Sequence, residues 1–127
     1  IKRKNNNDYH EMSHGDIAGT VPVFAEIQAG IVGEIAKFGT ELKAAGLFDH
    51  TLVYASSCGG TDSGHSGNRT PAFILGNLGG KLNSGKLKTG DVGNSRALVT
   101  VAHAVGETSI NYVGNKKETG PLAGVLK

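Results

Sequence analysis

Residues 21 to 45 carry the pattern that most constrains the fold. Phe24, Ile27, Ile31, Ile35, Phe38 and Leu42 recur at spacings of three and four, which gathers them on one side of a helix. Burying one such side chain is worth about 1.5–3 kcal/mol, so the chain must offer this helix an apolar surface to lie on. Thr20 or Val21 stands near its start, Pro22 suits its first turn, and Gly46 is its natural stop. Gly30, Gly33 and Gly39 each weaken it by up to about 1 kcal/mol relative to alanine. They also let another element approach closely.

Two apolar runs can supply that surface. "TLVYAS" (51–56) and "PAFILG" (71–76) both read as buried strands. Pro71 fits only the first position of a strand, or an edge. Runs apolar on both faces favour parallel pairing. A second helix is predicted over 94–105, with Asn94 or Ser95 as its cap and Gly106 as its stop. Its expected apolar face is Leu98, Val101, Ala102 and Val105. Between them, residues 77–93 hold two similar pieces, "GGKLNSG" and "SGKLKTG", read as a glycine-rich excursion or a short hairpin. The organisation expected is a polar arm (1–20), an α/β core (21–106) and an extended tail (107–127) that lies on a neighbour. Interleaved helices and strands make the fold class α/β.

A sheet of two strands is marginal by itself. Either weaker segments add strands, or the sheet is completed by another chain or by self-association. The expectation is therefore a homo-oligomer or a complex with a partner chain. Hydrophobic residues make up 38% of the 127 and tryptophan is absent, so the core is thin.

Charge excludes some partners. Thirteen Lys and Arg against eleven Asp and Glu give a net charge of +2, and the one dense basic cluster is "IKRK" at the start. Nucleic-acid binding would need a basic stripe, usually with aromatic platforms, so no nucleic-acid partner is expected. No apolar run approaches the ~18–20 residues of a membrane helix, so no membrane span is expected. One cysteine excludes an internal disulfide framework and a four-cysteine zinc site. The chain begins with isoleucine and shows no signal peptide, which points to a processed product or to part of a longer polypeptide.

The candidate chemistry lies in two places. "HEMSH" (10–14) has the letters of a zinc-protease helix, with His10 and His14 as ligands and Glu11 as general base. Its surroundings, "NNNDY" before and "GDIAGT" after, lack the apolar residues that would bury such a helix, and Gly15 would stop it. A solvated polar segment competes with this reading. "SSCGGTDSGHSGNRTP" (56–71) holds Cys58 and His65. A lone cysteine is most often a small buried hydrophobe. As a nucleophile, Cys58 would need a thiolate-stabilising neighbour, for which His65 is the candidate. "GNLGG" and "SGKLKTG" miss the phosphate-loop spacing. Asn68-Arg69-Thr70 is a formal glycosylation sequon.

The order of parts is more specific than any one of them. A histidine pair with "SHG", an amphipathic helix, "AAGLFDHTLVYASSCGG", His65, "TPAFILGNLGGKLNSGKLKTG" and a glycine-ended helix follow one another. Over roughly residues 8 to 106 this resembles the C-terminal half of bacterial exported proteins of the alkaline phosphatase and sulfatase superfamily. The resemblance is closest to uncharacterised families of unknown function. It implies a partial alkaline phosphatase-like sheet and an exported, periplasmic or extracellular, location. It also implies a metal site. In the superfamily, an acid and a histidine four apart are ligands, and His10 and His14 occupy those places. A strand then ends in serine, acid, histidine, glycine. Here Ser56 and Gly59 keep the frame, Ser57 replaces the acid and Cys58 the histidine. His65 fits a last ligand in the next loop.

The ligand set so implied is His10, His14, Cys58 and His65. Imidazole and thiolate suit zinc, whereas Ser57 is a poor ligand for a hard cation. Asp8, Asp16 and Asp62 are the nearest acceptors in sequence to orient the histidines. The superfamily's nucleophile and first metal-binding acid belong to an N-terminal half that these 127 residues do not include. No catalytic residue is therefore assigned. The expectation is a non-catalytic or incomplete phosphatase/sulfatase-like module with a degenerate metal site. Two alternatives stand beside it: a structural, self-assembling extracellular subunit, and a small zinc hydrolase using "HEMSH".

Overall fold

In a computed structural model, which describes residues 9–13, 21–57, 71–83, 85, 94–114 and 117–127, the apolar stripe forms helix α2, Val21–Ala44. A short helix, α1, covers Tyr9–Ser13 and packs against α2 with Met12 buried. Pro22 sits in the first turn of α2, where its missing N–H leaves no helical bond unmade. Gly46 ends the helix at φ +70°. Its N–H bonds the Lys43 carbonyl and that of Leu47 bonds the Leu42 carbonyl, the paired arrangement that closes a helix with a left-handed residue. A 3-10 turn, Phe48–His50, follows. The Lys43 ammonium lies over the Phe48 ring at 4.8 Å, a cation–π contact that holds the turn near the helix end.

The two apolar runs form strands β1, Leu52–Ser56, and β2, Ala72–Gly76. They pair antiparallel, with Leu52 opposite Gly76, Tyr54 opposite Ile74 and Ser56 opposite Ala72. This corrects the expected parallel pairing. A parallel pair needs a crossover element packed on the sheet, and the polar, glycine-rich sequence between the strands has no apolar helix face. The premise of two-sided burial also fails. β1 is only half-buried and ends in exposed Ser56, while Ala72 and Phe73 are exposed. An antiparallel sheet tolerates that exposure.

The sheet carries a longer helix on each face. Opposed residues share a face, so Val53, Leu75, Ala55 and Phe73 point one way, Tyr54 and Ile74 the other. Helix α2 lies on the first face, where a Cβ placed on buried Gly39 would sit 3.2 Å from Leu75 Cδ2. Helix α3, Asn94–Ala104, lies toward the second, where the Tyr54 hydroxyl reaches Asn94. The described residues thus make a small mixed α/β domain around a two-stranded antiparallel sheet.

This sheet is too short for α2. Twenty-four helical residues span about 36 Å, whereas five-residue strands span about 17 Å. Leu42 is buried at 8% exposure, but Ile31 and Phe38 from the same stripe stand 41% and 47% exposed. Gly76 joins the strand to the turn before β1. It has φ +115°, and a Cβ there would collide with the Thr51 carbonyl. Gly79 N–H bonds the Asp49 carbonyl and Asn77 Nδ2 bonds Asp49 Oδ1 at 2.8 Å, which clamps residues 77–80 against the 3-10 turn.

The tightest packing lies around α3. Its buried residues are Ala97, Val99, Thr100 and Ala104. The expected face of Leu98, Val101, Ala102 and Val105 is only half-buried, and Val105 is 61% exposed. The reason lies beyond residue 106: the tail comes back and covers the small-residue side. Arg96 donates to the carbonyls of Gly120 (3.3 Å) and Pro121 (2.7 Å). The Leu122 N–H donates to Thr100 Oγ1. Small side chains let the tail backbone approach closely enough for these bonds.

The tail also pairs with the glycine-rich excursion. Leu82 and Leu126 form an antiparallel bridge, and Asn83 and Lys127 N–H groups bond the Val125 and Lys81 carbonyls. Leu82, in the stretch read as a glycine-rich excursion or a short hairpin, is thus paired with the tail. The second glycine-rich piece lies largely outside the described residues. Residues 107–127, expected on a neighbour, make these contacts within their own chain. Lys81 Nζ reaches the Ala104 carbonyl at 3.3 Å, a cation where the end of α3 favours one.

Candidate functional site

The segment that carries Cys58 and His65 in sequence follows the end of β1. Ser56 and Ser57, the frame serine and the residue in the acid's place, are described. Ser57 N–H bonds the Pro71 carbonyl at 3.3 Å, so the two ends of the loop are tied together. Asn94, the first residue of α3, organises the rest. Its Oδ1 accepts from the Tyr54 hydroxyl at 3.1 Å and lies 3.0 Å from Ser56 Oγ. Its Nδ2 donates to the Ser57 carbonyl at 3.3 Å. Ser56 Oγ is also 3.2 Å from the Pro71 carbonyl. It has one proton, so at a given moment it donates to one of three acceptors, Asn94 Oδ1, the Pro71 carbonyl or the Ser57 carbonyl at 3.1 Å.

Sequence reasoning offered Asn94 or Ser95 as the helix cap. The Asn94 side chain ties α3 to the end of β1, a role the cap signal does not reveal. An asparagine before an apolar helix carries the cap signal whether or not it caps, because the strand residues it meets lie about forty positions earlier. An alternation of Tyr54 and Ser56 on one face of β1 is the signal that could have suggested a partner there.

Of the four expected ligands, His10 is described. It is exposed on α1. His14, next after α1, lies outside the described residues, as do Cys58 and His65. The expected orienting acids Asp8, Asp16 and Asp62 lie outside them too. The structure therefore neither gathers nor separates the proposed set. Among the described residues, no group of three or more His, Cys, Asp or Glu is placed to hold a metal ion, and no helix is long and apolar enough to cross a membrane.

Among the described residues, one titratable group has a shifted equilibrium. Glu107, on the turn after α3, accepts from the Ser109 hydroxyl and from the Ser109 N–H at 3.2 Å. These bonds favour the charged carboxylate and hold its pKa below the usual glutamate value. The same turn is fastened to α3 by His103 Nε2, 2.8 Å from the Ile110 carbonyl. That distance requires the ring nitrogen to carry a proton and donate. This cluster lies on the surface and serves the turn.

No protein-family model matches the chain, and neither does a curated protein or a solved structure.

Proposed function

We propose that the chain is a non-catalytic or incomplete module of the alkaline phosphatase and sulfatase type, exported by a bacterium, with a degenerate metal site. The single observation that carries this reading is a helix on each face of a sheet that has two strands among the described residues, with α2 overhanging it. Helices on both faces characterise broad α/β sheets, and two strands are marginal for independent stability. The order of motifs supplies the superfamily; the overhang supplies the incompleteness. Further strands, from another chain or from self-association, would complete the sheet. The metal site is zinc held by His10, His14, Cys58 and His65, by the chemistry of those donors. The module needs no catalytic residue of its own.

Exposed Ile31, Val32 and Phe38 also favour a second reading, a structural subunit that assembles through its own copies. The intact mass of the natural polypeptide, with its state of assembly, separates the two. A natural product well above the 13.1 kDa of these residues, or a constant partner of different mass, supports the incomplete module. A 13.1 kDa product that forms homo-oligomers supports the structural subunit. A 13.1 kDa product that sediments as a monomer at micromolar concentration sinks both.

A further inference from the structure

No further inference is drawn: the strongest candidate, the apolar surface that α2 leaves exposed at Ile31, Val32 and Phe38, carries nothing because nothing in the structure shows what covers it.

Discussion

The Thr100 hydroxyl accepts the Leu122 N–H at 2.7 Å and donates to the Arg96 carbonyl at 2.8 Å. Thr100 is fully buried, so this one oxygen connects the interior of α3 to a tail twenty-two residues later. Thr100→Val keeps the shape and leaves the Leu122 N–H without that acceptor. An unsatisfied buried donor costs about 1–3 kcal/mol. Urea unfolding should show a loss of that size, and Thr100→Ser should recover most of it. Equal stability of the Val variant and the wild type would mean that the tail is not docked in solution.

Three glycines should respond in opposite directions. Gly76→Ala drives a methyl into the Thr51 carbonyl at a left-handed φ. The strain should exceed about 2 kcal/mol. Gly30 and Gly33 lie within α2 with open space where a Cβ would go, so Gly30→Ala and Gly33→Ala should each stabilise by up to about 1 kcal/mol. Thermal unfolding of the three variants checks the signs. A destabilised Gly33→Ala would place something against that side of α2.

Asn94→Ala should destabilise the chain by about 1–2 kcal/mol, because the Tyr54 hydroxyl and the Ser57 carbonyl lose their partner. Ser95→Ala should change it by less than about 0.5 kcal/mol. The reverse order in chemical denaturation would restore Asn94's neighbour as the important residue at the start of α3.

Glu107 should titrate below the usual glutamate midpoint of about 4.3, with the Ser109 hydroxyl as the main cause. A lowered folded-state pKa means stabilisation that is fully present above the unfolded value and is lost as pH falls through the folded value. Carboxyl chemical shifts followed by NMR should place the Glu107 midpoint below those of exposed glutamates, and Ser109→Ala should bring it back up. An unchanged midpoint in that variant would remove Ser109 as the cause.

If the proposed metal site binds zinc, the wild type should retain the ion after dialysis, and the variant carrying both His14→Ala and His65→Ala should not. Elemental analysis of the two reads this directly. A wild type without zinc, or a double variant that keeps as much, removes the site.

The elements that could be read from the sequence are those fixed by neighbouring residues. The three- and four-residue spacing from Phe24 to Leu42 placed α2, and Gly46 and Gly106 closed both longer helices because a left-handed helix end is a local demand. Strand β1 ends at Ser56 as read. What sequence order hides is pairing at a distance. The direction of β2 against β1, the buried side of α3 and the return of the tail depend on meetings such as Thr100 with Leu122 and Asn83 with Val125. The ties of Asn94 to Tyr54 and Ser57 were hidden for the same reason. The candidate ligands were read only as residue types in order, and of the four the described residues include His10.

The return of the tail sets a schedule for synthesis. Residues Asn94–Ala104 can wind into a helix as soon as they are made, but the groups that cover Arg96 and Thr100 come from residues 120–122. At about 5–20 residues per second, a ribosome delivers them about 1–5 s later. Until they arrive, Thr100 Oγ1 lacks its donor and the Arg96 guanidinium lacks both carbonyls. A chain cut short before residue 120 would carry α3 without that cover.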